Sequence, residues 1–369
     1  MLTDVTIEGL RGVGRVELHF APEQRVYVLF GKNGIGKTKC LEAIYQFLLL
    51  TNKDFTQKFS IHAEVKWSLM ARMQDTVNGV TFESQRRPVF GRRDSAYKHS
   101  CPVVFLGAEH RMSLHKPQRR YASTFGSFGD RQEKYFYEIG QSFTNGGLSS
   151  LGMYGDTREW FIERAKSDNP YQKSRDNRGL EIRTVVSMLN AVDPNIDSKY
   201  LAIDGEGNVF LKLGKEPQEL GALSSGYISL VKLVQAIITG YAAFTNEKQL
   251  QNVRGIVLID EIDAHLHAEW QVKIIPCLKK LLPNTTFYIA THSPLVLKQL
   301  KEKEAYLLKR DDDGVVRSQI IRHPNRRLFV DVLQDGLNVN LNALDDDDDQ
   351  SDLKQHMLSL LQEQKAGAA

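Results

Sequence analysis

The chain has 369 residues, 41% of them hydrophobic and 25% charged, with a formal net charge of +3. That length suits one elaborated domain or a domain with a large insertion, and the composition excludes wholesale disorder and a uniformly basic nucleic-acid coat, so any basic surface has to be local. Cys40, Cys101 and Cys277 stand far apart without C-x-x-C spacing, which argues against a disulfide framework or a zinc site and for buried reduced thiols. No signal-like leader and no long apolar run is present, so the expectation is a soluble, cytoplasmic protein without a membrane partner.

In chain order, the first 50 residues read as strands at Asp4 to Glu8, Arg15 to Phe20 and Arg25 to Phe30, then a glycine-rich loop, then a helix over Cys40 to Leu50. The loop, Gly31-Lys-Asn-Gly-Ile-Gly-Lys37-Thr38, is a phosphate-binding loop of the form G-x-x-x-x-G-K-[ST] in its strand-loop-helix setting. Its glycines let successive backbone N–H groups turn toward a triphosphate, and the helix presents its positive end to the same anion. Gly31, Asn33, Gly34, Gly36, Lys37, Thr38 and Lys39 form the expected nucleotide-binding set, with Lys37 as a point charge and Thr38 as a ligand for Mg²⁺.

Beyond it, Ile61 to Met70 and Asn78 to Glu83 read as an antiparallel pair, and Val103 to Leu106 as a short buried strand. Thr157 to Lys166 and Gly179 to Val192 read as helices, and Ser123 to Asp130 and Thr144 to Gly155 as irregular loops. Residues 86 to 134 carry eleven Lys or Arg against four acids, with Phe90, Tyr97, Tyr121 and Phe125 interleaved. Three readings stay open there: phosphate neutralisation with base stacking, contact with an acidic protein, and a solvated insertion.

Regularity returns with a hairpin, Lys199 to Ile203 and Asn208 to Leu213. Then come helix Gly226 to Ala243, apolar strand Gly255 to Ile259, helix Ala268 to Leu282, apolar strand Thr286 to Ala290, helix Pro294 to Lys301, and edge strands to Ile321. Continuously apolar strands between helices indicate a parallel sheet covered on both faces. The fold expected is α/β, a mixed sheet built from both ends of the chain, with an antiparallel β lobe and a mostly helical insertion. Residues 1–50 and 200–325 would form the core, 51–199 the insertion, and 326–369 a tail with the run Asp345 to Asp349 and an amphipathic helix.

The strand Gly255 to Ile259 ends in Asp260-Glu261, which places one acid at Mg²⁺ and the next beside an attacking water: Asp260 is the metal-side acid and Glu261 the general base. Two further segments narrow the class. Leu223-Ser-Ser-Gly226-Tyr227 opens a helix upstream, and Thr291-His292-Ser-Pro294 ends the next strand.

With these motifs, and with Asp260-Glu-Ile-Asp-Ala-His-Leu-His-Ala-Glu-Trp-Gln271, the chain resembles ABC-type ATPase heads of the SMC, RecF and OLD-like branch, and within it the AAA15/AAA21-type ATP-binding proteins of bacteria. The resemblance covers residues 1 to 50 and 200 to 300. It implies a homodimer closing around two ATP molecules, with Ser225 and Gly226 offered to the partner's γ-phosphate, Asp263 as the D-loop acid, His292 as the γ-phosphate sensor, and Arg11 near the nucleotide. It also implies an effector protein, a nuclease among the candidates, in anti-phage defence or DNA maintenance. Alternatives are a RecF-like DNA-binding factor gated by ATP and a weakly hydrolysing ATP-binding scaffold. Tyr227 stands where the family usually has Glu or Gln. Gln118 and Gln141 are candidates for the Q-loop by position, and His265 and His267 fit the family's HLH pattern and are read as structural. Roughly 185 residues without heptad periodicity separate the phosphate loop from Leu223, which excludes a long coiled-coil arm.

Overall fold

A computed structural model describes residues 2–59, 72–77, 80–83, 98–111, 126–145, 148–153, 155–171, 173 and 176–326. Residues 1–325 form one compact unit and 326–369 a second. The elements run β1 (Asp4–Leu10), β2 (Gly14–His19), β3 (Val26–Phe30), α1 (Lys37–Leu50), α2 (Lys53–Phe59), β4 (Arg72–Val77), β5 (Val80–Glu83), β6 (Val103–Leu106), α3 (Phe128–Asn145), α4 (Thr157–Ser167) and α5 (Gly179–Val192). They continue β7 (Ile196–Ile203), β8 (Val209–Leu213), β9 (Glu216–Glu219), α6 (Ser225–Phe244), β10 (Gly255–Ile259), α7 (Ala268–Gln271), α8 (Ile274–Leu281), β11 (Thr285–Thr291), α9 (Pro294–Leu297), β12 (Ala305–Arg310) and β13 (Val316–Ile320).

A ten-stranded mixed sheet has the order β5-β4-β1-β2-β13-β12-β3-β11-β10-β6, and β7-β8-β9 form a small antiparallel sheet. The stretch β12-β3-β11-β10-β6 is wholly parallel. Its strands are buried on both faces, β3 and β11 along their entire length, which is why they read as unbroken apolar runs. One face is covered by α1, where Tyr45 meets Phe105 at a ring separation of 5.2 Å. The other is approached by α6 so closely that a Cβ on Gly240 would lie 2.4 Å from Val104 Cγ2. By length and composition α6 is apolar enough to cross a membrane, and it packs inside the fold instead, with most of its residues buried.

Several expectations need correction. The strand expected at Ile61 to Met70 lies outside the described residues, and β5 pairs with β4, over residues read as a connection. The charged sequence of β4 lacks an apolar alternation that would announce it. The loop expected from Ser123 to Asp130 gives way at Phe128 to the 18-residue helix α3, capped locally by the Ser127 and Asp130 side chains, whose Oγ–Oδ2 bond is 2.7 Å. The helix expected from Ala268 to Leu282 is two helices. Pro276 cannot donate to the carbonyl four residues back, so it is tolerated only in the first turn of α8. The last strands are not at the edge, since β12 and β13 lie between β3 and β2. β6, within the span read as an insertion, pairs with β10 in the parallel core.

Candidate nucleotide site

Parallel pairing sets the site. Phe30 at the end of β3 is in register with Thr291 at the end of β11, and Ile259 of β10 with Ile289. Three consecutive carboxyl strand ends therefore deliver the phosphate loop, His292 and Asp260-Glu261 to one rim, where ligands bind in parallel α/β sheets.

The phosphate loop has the backbone that its glycines permit: φ is +150° at Gly31, +75° at Gly34 and +105° at Gly36. Gly36 precedes the first turn of α1, which has no side-chain cap, so no capping side-chain oxygen takes its leading N–H groups, the arrangement that suits an anion. Lys37 is buried; its Nζ donates to the carbonyls of Gly31 at 2.8 Å and Lys32 at 2.9 Å. Burial lowers its pKa to about 8, against the opposing pull of Asp260, Glu261 and Asp263. Thr38 Oγ1 donates to Asp260 Oδ1 at 3.0 Å. Asp260 is itself buried, and desolvation raises its pKa to about 6 although the Thr38 hydrogen bond works against that. His292 Nδ1 lies 3.4 Å from Lys37 Nζ; burial, then the Lys37 charge, lowers its pKa.

Glu261 is exposed and held at φ +45°, an unfavourable backbone for a residue with a Cβ. Asp263 accepts a hydrogen bond from Thr291 Oγ1, tying the segment after β10 to the end of β11. Asn33 is exposed on the loop, and Lys39 is paired with Glu42 at 2.6 Å. Arg11 is exposed in the β1–β2 turn; this turn meets the phosphate loop through Val13, whose methyls would lie 2.8 Å from a Cβ on Gly36. Gln141 sits on α3, while Gln118, the aromatics Phe90, Tyr97, Tyr121 and Phe125, and the acidic tail fall outside the described residues.

Ser225 and Gly226 begin α6 and face the segment that follows Asp263. Ser225 Oγ lies 3.1 Å from His267 Nε2. A Cβ on Gly226 would be 2.8 Å from Trp270 Cδ1, and Tyr227 meets Trp270 edge-on at 5.3 Å. The aromatic departure at Tyr227 thus has an intramolecular partner.

The oxygen pair of Thr38 and Asp260 suits a hard cation. Among the described residues no group of three or more His, Cys, Asp or Glu side chains is placed to hold a metal; two oxygen donors beside a phosphate loop are a set that Mg²⁺ would accept.

Residues 153–298 match AAA_21, described as "AAA domain, putative AbiEii toxin, Type IV TA system". The matched span includes Ser225, Asp260 and His292; the phosphate loop lies N-terminal to it. The chain is 22% identical over 326 residues to Septu protein PtuA of Bacillus thuringiensis, covering 86% of this chain and 78% of that protein. It is 34% identical over 292 residues to Septu protein PtuA of Bacillus mycoides, covering 78% of this chain and 36% of that one. The Escherichia coli "Retron Ec83 probable ATPase" is 35% identical over 125 residues, 31% of this chain and 23% of its own. The chain therefore spans most of the first relative and about a third or less of the other two. Among solved structures, the SMC head domain from Thermotoga maritima aligns at 14% identity and a TM-score of 0.44, covering 87% of this chain and 99% of that one.

Sequence reading missed Arg111, which the fold places behind the acids. It is fully buried and donates to the carbonyls of Asp260, Glu261 and Gly107. Burial pulls its pKa down to about 10, against the attraction of Asp260, Asp263 and Glu261. In sequence Arg111 was one of many basic residues of a basic segment. Its distinguishing mark, a position just past a strand neighbouring β10, is visible only once β6 is paired.

Proposed function

We propose that the chain is an ATP-dependent switch that binds and hydrolyses ATP at composite sites of a homodimer and couples that cycle to an effector protein. The observation that carries the reading is the Thr38–Asp260 hydrogen bond, which joins the phosphate loop to the acid at the end of β10. In this reading the phosphate-loop N–H groups and Lys37 hold the β- and γ-phosphates, and Lys37 exchanges its two carbonyl partners for phosphate oxygens. Thr38 and Asp260 hold Mg²⁺, which supplies charge neutralisation of the phosphates. Glu261, exposed at the strand end, takes the proton of the attacking water. His292 senses the γ-phosphate beside Lys37. Ser225 and Gly226 reach the triphosphate of the second copy.

ATP then favours the closed dimer only by its differential affinity for that state. The relatives named as Septu and retron proteins support a place in bacterial anti-phage defence; the reading adds a cytoplasmic setting and assigns the cutting activity, where there is one, to the partner.

The test is Glu261→Gln. Retained ATP binding, loss of turnover and an ATP-dependent dimer in sedimentation support the switch. A wild type with no measurable turnover would leave a nucleotide-binding scaffold and defeat the hydrolytic reading.

A further inference from the structure

α7 is four residues long and none of its residues is buried. A segment so placed adds little to the core, yet its side chains reach two of the motifs assigned to ATP. On one side His267, the residue capping α7, touches Ser225 at 3.1 Å, and Trp270 presses on Gly226 and Tyr227. On the other, Gln271 Oε1 accepts from Ser293 Oγ at 2.6 Å, the residue directly after His292. Gln271 is locked in that pose: its amide donates to Leu266 O at 2.7 Å, and its own carbonyl accepts from Gln299. Ser293 in turn caps α9, and its N–H donates to Thr291 Oγ1 at 3.0 Å.

We propose that residues 267–271 are a linkage between Ser225 and His292, in which His267 and Gln271 are positioning residues. The inference rests on the reading of Ser225 and His292 as ATP-contacting groups. If Ser225 serves the partner's nucleotide and His292 the chain's own, the linkage joins the two composite sites through a single short segment. Movement of His292 on contact with a γ-phosphate pulls Ser293, hence Gln271, hence the face that His267 and Trp270 offer to the start of α6. The contacts on both sides are direct side-chain contacts, so no distant pathway is needed.

Two measurements test it on the full chain. In steady-state ATP hydrolysis, His267→Ala and Gln271→Ala each lower kcat about tenfold while KM for ATP moves less than about twofold, because the groups act on the assembled site and not on nucleotide capture. The double variant is no slower than the slower single, as two members of one linkage must be. His267→Gln, which keeps a hydrogen-bonding group, recovers part of the loss. In the Glu261→Gln background, Mg-ATP binding followed by calorimetry is accompanied by a change in tryptophan emission that is absent from the Trp270→Phe and His292→Ala forms. Losses that multiply in the double variant, or binding without a Trp270-dependent change, overturn the linkage while leaving the ATPase reading intact. No ATP binding at all overturns both.

Discussion

Thr38 Oγ1 and Asp260 Oδ1 are 3.0 Å apart, although 222 positions separate them in the chain. That contact closes the phosphate loop on a carboxylate whose pKa burial raises from 3.8 to about 6. A raised pKa in the folded state means that the native protein holds this proton more tightly than the unfolded chain does. The associated stability is present below about pH 4 and lost as pH rises through about 6, roughly 3 kcal/mol for two pK units. Asp260→Asn keeps an acceptor for Thr38 and removes the titration. The ligand-free variant is therefore expected to be more stable than wild type at pH 7.5 by up to about 3 kcal/mol. That advantage shrinks as pH falls from 6 toward 4, as read by urea unfolding at each pH. The same variant loses Mg²⁺-dependent ATP binding.

Lys37 behaves in the opposite sense. Its folded pKa is lowered from 10.5 to about 8, so the ligand-free site charges it only as pH drops below about 8. Because the triphosphate needs the ammonium form, ATP affinity should weaken by up to about tenfold per pH unit above 8. Calorimetry in buffers of differing ionisation enthalpy should record proton uptake on binding there. Affinity that is flat from pH 7 to 10 would mean Lys37 is not the phosphate ligand.

Gly36 is at φ +105° against the Val13 methyls. Gly36→Ala should cost roughly 1–2 kcal/mol for the left-handed backbone, plus the steric term from Val13. Adding Val13→Ala should return the steric part alone. Full recovery in the double variant would show that the backbone term is absent.

Arg111 donates to the carbonyls that flank the Asp260-Glu261 peptide. Arg111→Met leaves these carbonyls without their buried donor and should destabilise the chain by about 3 kcal/mol or more. Arg111→Lys should recover part of the stability but leave kcat depressed, because an ammonium cannot reproduce the planar fork that spans two carbonyls. Equal activity of the Lys variant and wild type would reduce Arg111 to a core filler.

Much of this was legible before any coordinates. The phosphate loop, the strand ending in Asp260-Glu261 and the segments around Ser225 and His292 announce themselves, since each is short, local and tied to a strand or helix end. What stayed hidden depends on long-range pairing. β4, with the sequence Arg-Met-Gln-Asp-Thr-Val, is a strand because β1 and β5 flank it, not because of its own periodicity. α3 begins inside a Gly- and Ser-rich stretch that reads as loop. Arg111 and Gln271 look like surface residues until β6 and β11 bring them against Asp260 and Ser293. His267, read as a structural histidine, lies against Ser225, the serine that begins α6.

The central claim is that each ATP site is built from two copies of the chain, and complementation between two inactive variants tests it most directly. Lys37→Ala lacks a working phosphate loop and keeps Ser225, whereas Ser225→Arg blocks the signature face and keeps Lys37. Each alone should be inactive. Mixed in equal amounts, half of the dimers pair one of each and regain one of two sites, so turnover should return to about a quarter of the wild-type rate. A mixture as inactive as its parts, or a Ser225→Arg protein that hydrolyses ATP at the wild-type rate by itself, would contradict the composite site.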